Sequence, residues 1–193
     1  MLIETTKYGM QVWILERRQC VRYKKNIRRR NPCSKGGFKP KLSIIPVLWN
    51  NPAFGEFKLN VDGCSKGNPG NAGGGGILRD HLGHMVMAFT VYLGCCSNNS
   101  AEVQASKTGM RLCLDHGFNK LTIESDSLLV LQMTKGEIST AWQIREEVKE
   151  IQAMNTDGQL QFTHTFREGN IPADLLANLA ERDRKKISSS LGL

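Results

Sequence analysis

The sequence lacks any apolar run of the ~18 residues that a membrane-spanning helix needs, so no membrane association is expected. Its opening, MLIETTKYGMQVWILERR, has neither the clean apolar stretch nor the cleavage site of a secretory leader. Secretion is therefore disfavoured, and an intracellular protein of nucleus or cytoplasm is expected, with an organelle left open. Of its six cysteines, Cys20, Cys33, Cys64, Cys95, Cys96 and Cys113, none forms a Cys-x-x-Cys pair or meets a histidine at zinc spacing. They read as reduced thiols rather than as a zinc site or a disulfide framework. No internal repeat is visible. Acidic residues are scarce in one place only: residues 1–55 carry 12 Lys and Arg against 2 acids, whereas residues 56–193 carry 14 against 16.

What is present is an ordinary folding composition. Apolar residues make up 40% and charged residues 23% of 193, which suits one domain and an appendage. A monomer is expected. Residues 1–55 read as a basic arm or connector with too few apolar groups to fold well between Arg17 and Lys41. Such an arm is either a solvated tail or a contact for a polyanion such as nucleic acid, where phosphate neutralisation releases counterions. Its run KKNIRRR is either a nuclear signal or simply part of the arm. Gln11 to Leu15 is a short apolar stretch, helix turn or strand, and Ile44–Leu48 around Pro46 reads as an extended connector.

The pattern becomes regular at residue 56, and a domain is expected over 56–187 with a tail over 188–193. Phe57, Leu59 and Val61 alternate with Lys58, Asn60 and Asp62, which predicts a strand. Gly63 to Gly70 reads as a turn cluster, Gly75 to Arg79 and His84 to Leu93 as two more strands joined at Asp80–Gly83. Asn99 to Asp115 reads as a helix with Gly117 placed to end it. A strand over Leu121 to Glu124 follows, then a short helix over Ser127 to Met133. Ala141 to Met154 reads as a charged helix with Ile144, Val148 and Ile151 on one stripe. A fifth strand over Gln159 to Thr165 and a last helix over Pro172 to Lys185 complete the chain. Early hairpins followed by alternation predict an α/β fold, a mixed sheet with helices on both faces.

Four acids stand where a carboxylate is unusual. Asp62 ends the first strand, Glu102 lies in the first turn of the long helix, Asp126 follows the fourth strand, and Asp174 lies in the first turn of the last helix. Each has a plain reading as a turn former or a complement to a helix dipole. Gathered at one end of one sheet they would repel one another and demand a cation. Hard oxygen ligands suit Mg²⁺ or Mn²⁺, and a pair of such ions clamps the attacking and leaving oxygens of a phosphodiester.

Four segments carry a resemblance: FKLNVDGCSKGNPGNAGGGGILRD, SNNSAEVQASKTGM, TIESDS and FTHTFREGNIPADLLANLA, in this order. The chain resembles the ribonuclease H type 1 family from about Phe57 to Lys186, in particular the plant domain found alone or at the end of retroelement reverse transcriptases. The resemblance implies a five-stranded mixed sheet of order 3-2-1-4-5, flanked by helices. It implies an endonuclease that uses two Mg²⁺ ions, for which Mn²⁺ can substitute, to cut the RNA strand of an RNA–DNA hybrid into 5′-phosphate and 3′-hydroxyl ends. It makes Asp62, Glu102, Asp126 and Asp174 the metal-binding acids. It makes His164, ten residues before Asp174, the loop histidine that assists proton transfer or product departure; the plainer reading of His164 is packing at a strand end.

For the hybrid, the resemblance places Gly63, Ser65 and Asn68 against the RNA minor groove and its 2′-hydroxyls. It places Asn98 and Asn99 at base edges, and Ser97 at a DNA phosphate. The plainer reading of the asparagine pair is helix capping by Asn98, Asn99 or Ser100. Departures from the family are visible. Leu128 replaces a polar glutamine that touches substrate, Arg167 and Glu168 occupy a variable segment, and no basic protrusion lies between Met133 and Gln159. Trp142 reads as a core anchor, with stacking in a DNA groove as the alternative. The segment VLWNNPAFGEFKLNVDG resembles the connector that precedes this domain in plant retroelement polyproteins. The rival function is a domesticated domain that binds nucleic acid and cuts weakly or not at all.

Overall fold

The computed structural model describes residues 2–7, 10–15, 47–155 and 158–190, with side chains described over 47–155 and 158–182. The strands are β1 (Leu2–Lys7), β2 (Met10–Leu15), β3 (Phe57–Gly67), β4 (Gly70–Arg79), β5 (Met85–Cys96), β6 (Leu121–Ser125) and β7 (Leu160–His164). The helices are α1 (Asn98–Asp115), α2 (Leu128–Thr134), α3 (Arg145–Met154) and α4 (Ile171–Ser190). The sheet order is β1-β2-β5-β4-β3-β6-β7. Its last five members are the expected 3-2-1-4-5 sheet. The pairs β3–β4 and β4–β5 are antiparallel, while β3–β6 and β6–β7 are parallel. Beyond the expected five, β1 and β2 form an antiparallel pair on the outer edge of β5. They fall inside the segment read as an arm, and Gln11–Leu15 within it is strand. The arm's most basic stretch, residues 16–46, and the tail at 191–193 lie outside the described residues.

Boundaries shift where side-chain alternation is silent. β3 runs on through the stretch expected as a turn, as far as Gly67, because its ladder with β4 continues to the pair Gly67↔Gly70. Glycines offer no polar and apolar alternation, so pairing rather than pattern sets the end. The helix expected from Ala141 opens instead with a 3-10 turn at Trp142–Ile144, and Trp142 is 77% exposed. It is not the core anchor its size suggested; Ile144, Val148 and Ile151 fill that layer.

The main core lies between the sheet and α1, α2 and α3, where Leu59, Val61, Leu78, Phe89, Val103, Met110, Ile123 and Ile151 are buried together. Burying one such side chain contributes about 1.5–3 kcal/mol. The other face is covered by α4, which lies on β4, β3 and β5. The run Gly73–Gly76 in β4 makes this sandwich thin. A Cβ on Gly73 or Gly75 would stand 2.4 Å from the α4 backbone at Ala177, and one on Gly74 would stand 2.9 Å from the Ala105 methyl of α1. Helices can therefore rest almost on the strand's main chain. That brings the first turns of α1 and α4 to the same end of the sheet.

Candidate active site

The parallel pairing of β3 and β6 fixes the first two acids. Asn60 is in register with Glu124 in the last pair of the β3–β6 ladder, and Asp62 and Asp126 each follow two residues further on. They lie just past the carboxyl end of this parallel ladder. β3's other neighbour is antiparallel, so the sheet changes direction of winding here, and such crevices are where open α/β sheets take ligands. Glu102 arrives from α1. The helix is capped by Ser97, whose Oγ accepts from the Ser100 N–H, so neither asparagine of the pair nor Ser100 is the cap. Glu102 therefore lies past the first turn, which holds no acid, and does not serve as a complement to the helix dipole. Close packing at Gly63 sets its reach: the Gly63 N–H donates to the Glu102 carboxylate, and the Ser125 hydroxyl donates to Glu102 Oε2 at 3.5 Å.

Among the described residues, Asp62, Glu102 and Asp126 each offer a carboxylate oxygen, and these oxygens lie within 4.8 Å of one another. The electrostatic consequence is marked. Burial first, then the charges of Asp126 and Asp174, push the Asp62 carboxyl up to about 8, against a smaller opposing pull from Arg167. Burial, Asp62 and Asp126 likewise hold Glu102 well above the ordinary carboxylate range. Three hard oxygen donors crowded together, two of them resisting ionisation, fit a divalent cation, which would offset their mutual repulsion. Asp174 stands next to this group, in the first turn of α4, where its Oδ1 accepts from Arg167 Nη2 at 2.8 Å. That exposed pair contributes little stability. Asp174 is coupled to Asp62 by charge but falls outside the tight trio.

A stability prediction follows from the sign of the shift. Folded Asp62 keeps a proton that the unfolded chain releases near 4. Its contribution is complete below about 4 and is lost as pH rises through about 8. Chelator-treated protein should therefore melt at progressively lower temperature from pH 5 to pH 8.5, and added Mg²⁺ should raise the melting temperature most at the upper end. Thermal melts across that range check it; a flat chelated profile would contradict the crowding of the acids.

His164 ends β7 in register with Ser125, one residue before Asp126, so it shares the acids' end of the sheet. It is exposed, with its ring edge-on to Phe166 at 5.7 Å. The expected hybrid contacts form a second group. Asn98 Oδ1 accepts from the Ser65 N–H at 3.0 Å, Asn68 Oδ1 accepts from the Asn98 N–H at 3.0 Å, and Ser65 Oγ donates to the Cys96 carbonyl at 2.7 Å. These bonds fasten the β3–β4 hairpin to the start of α1. Asn68, Asn98 and Asn99 are exposed there, and Gly63 is buried beneath.

Sequence reasoning missed the polar layer under the acids. Asn170, fully buried, donates from Nδ2 to the Val61 carbonyl at 2.8 Å and to Asp126 Oδ1 at 3.4 Å. Asn60, also fully buried, donates to Glu124 and to Asn170 Oδ1 and accepts from Arg79 and Trp49. For Asn60 the only signal was its polar place in the β3 alternation, which assigns a face without saying whether that face is wet; Asn170 lies outside any strand, just ahead of α4, and had no such signal.

The family description "Reverse transcriptase-like" matches residues 60–180. In fold, the chain matches the crystal structure of RNase H1 from Halobacterium salinarum, with a TM-score of 0.63, 31% identity, 67% of this chain and 99% of that one. The chain belongs to the reverse transcriptase-like family of ribonuclease H domains. LC11-RNase H1 in complex with an RNA/DNA hybrid also matches, with a TM-score of 0.63, 26% identity, 67% of this chain and 99% of that one. "Putative ribonuclease H protein At1g65750" of Arabidopsis thaliana is 33% identical over 135 residues, covering 69% of this chain. The chain spans only 22% of that plant relative's length. Four cysteines among the described residues, Cys64, Cys95, Cys96 and Cys113, are free thiols. No described helix is long and apolar enough to cross a membrane.

Proposed function

We propose that this ribonuclease H domain is an endonuclease that hydrolyses the RNA strand of RNA–DNA hybrids, leaving 5′-phosphate and 3′-hydroxyl ends. The observation that carries the reading is the trio Asp62, Glu102 and Asp126, gathered within 4.8 Å, with Asp62 and Glu102 pushed toward protonation. Its family membership and the hybrid-bound relative point the same way. The trio, with Asp174 beside it, would hold two Mg²⁺ ions, or Mn²⁺ in their place. When bound, they neutralise phosphate charge and ready a water for in-line attack.

The chain's own groups do the rest. Ser125 and the Gly63 N–H aim Glu102, so its carboxylate does not swing away from Asp62. His164, exposed beside the acids, is placed to hand a proton to the departing 3′-oxygen or to ease product release. The fastened surface of Gly63, Ser65, Asn68, Asn98 and Asn99, with Ser97 at its edge, meets the minor groove. Donors and acceptors there read 2′-hydroxyls and groove shape with little dependence on sequence.

The test is cleavage of an end-labelled hybrid with Mg²⁺ and with chelator, beside duplex DNA and single-stranded RNA. Cleavage of the hybrid's RNA strand alone, abolished by chelator, is expected. Hybrid binding without cleavage in Mg²⁺ would favour the domesticated binder, a reading to which Leu128 gives substance, since it stands 53% exposed two residues after Asp126. Replacing His164 with Ala should slow turnover by about 10–100-fold, at or below the span of acid–base groups. Its exposure predicts an unchanged melting temperature. A rate equal to wild type with the fold intact would return His164 to packing against Phe166.

A further inference from the structure

The residues just before β3 do not trail away from the domain. Val47 to Asn51 crosses the polar layer under the acids. Trp49 Nε1 donates to Asn60 Oδ1 at 2.9 Å, and the Trp49 ring lies under Arg79 at 4.7 Å and beside Lys58 at 5.3 Å. Lys58 Nζ donates to the Asn50 carbonyl and pairs with Glu124, both at 2.8 Å. Asn51 Nδ2 donates to the His81 carbonyl at 3.0 Å, which ties the segment to the β4–β5 turn. Val47 packs near Gly169, just ahead of α4.

The chemistry of these donors gives the layer a direction. An indole N–H and a guanidinium can only donate, so both must meet the oxygen of the Asn60 amide. The Asn60 nitrogen then faces Glu124 and Asn170 Oδ1. With its oxygen so engaged, Asn170 turns its nitrogen to the Val61 carbonyl and to Asp126. Each amide orientation dictates the next, from Trp49 at one end to a carboxylate of the centre at the other. Arg79, 3% exposed, holds the same oxygen, and the indole face covers its guanidinium.

We propose that Trp49, held in the Val47–Asn51 strap, is a positioning residue of the active centre that fixes the Asn60–Asn170 amide pair and thereby the Asp126 carboxylate. The consequence for catalysis rests on the proposed hybrid-cleaving function; the consequence for the two amides does not. Partners one layer behind a metal ligand commonly govern 10–100-fold in metal affinity or activity.

The experiment uses the full chain with three single variants: Trp49→Phe, which keeps a ring over Arg79 but removes the N–H; Trp49→Ala, which removes both; and Leu48→Ala, an exposed neighbour as control. The side-chain amide resonances of Asn60 and Asn170 in ¹⁵N-labelled, metal-free protein are followed with their solvent exchange, and kcat and KM are measured on hybrid in Mg²⁺. Both amides should be slow to exchange in wild type and in Leu48→Ala. In Trp49→Phe they should shift and exchange faster, with kcat down about 3-fold and KM unchanged; in Trp49→Ala kcat should fall about 10-fold. Unchanged amide exchange and kcat in a folded Trp49→Phe would overturn the proposal, even if Trp49→Ala fails to fold. If wild type does not cleave, the functional reading fails, and the amide signals still decide whether the strap positions the pair.

Discussion

Replacing Asp62 with Asn is expected to lower hybrid cleavage in Mg²⁺ by about 1,000-fold, the equivalent of ~4 kcal/mol of lost charge stabilisation in the transition state. The amide matches the carboxylate in size, and Asp62 is buried within β3, so the fold has no reason to change. What changes is the ligand: a neutral amide is a poor partner for a hard divalent cation. The surface of Ser65, Asn68, Asn98 and Asn99 is untouched, so hybrid affinity should stay within about 3-fold of wild type, resting on phosphate and groove contacts. The same substitution removes a group whose ionisation is resisted by burial and by Asp126 and Asp174. Chelated Asp62→Asn protein should therefore melt above chelated wild type at pH 8 and close to it at pH 5. Single-turnover cleavage, hybrid titration and melts at the two pH values read the three effects separately. Cleavage near the wild-type rate would remove Asp62 from the centre.

The second large effect is steric. A Cβ added at Gly63 would stand 2.3 Å from Ala101 C and from the Glu102 N, both main-chain atoms of α1. No side chain can rotate out of the way, so the helix itself must move off β3. Gly63→Ala should cost about 3 kcal/mol, at the upper end of overpacking, and lower the melting temperature by about 10 °C. Displacing α1 also pulls Glu102 from the Gly63 N–H and from Ser125, so cleavage should fall sharply even at temperatures where the variant remains folded. A melt and a cleavage assay at 20 °C distinguish the two losses. A variant with normal melting would mean that α1 does not rest on β3 as closely as the structure has it.

Much of the architecture was legible from local chemistry. Phe57, Leu59 and Val61 announced β3, and Gly117, at a φ of +82°, ended α1 as only a residue without a Cβ does readily. The acids were legible as a set only through the family resemblance. Singly, each had a plain role, and the spacing between them along the chain says nothing about 4.8 Å in space. Asn60 and Asn170 were not legible at all. Polar alternation separates two faces of a strand, but a polar face reads the same whether it meets water or a second buried layer. Trp142 failed for the opposite reason: its size argues for the interior, yet Ile144 already fills the place behind the 3-10 turn. The strap at Trp49 was read as connector because one aromatic in a stretch without period gives no sign of what it will cover.

The glycine run of β4 has a consequence for how such a sequence can drift. Ala177 and Ala180 on α4 and Ala105 on α1 meet this strand where it offers no side chain. A larger residue at any of these helix positions has no hollow to enter, and a larger residue on the strand has no gap above it. Strand and helices thus constrain each other as one spacing gauge, in which an enlarged helix residue finds nothing to shrink on the strand, because glycine cannot become smaller. In this chain the surface, the loops and even the outer strands can change without touching this layer, whereas an enlargement within it would shift α1 or α4 against the sheet.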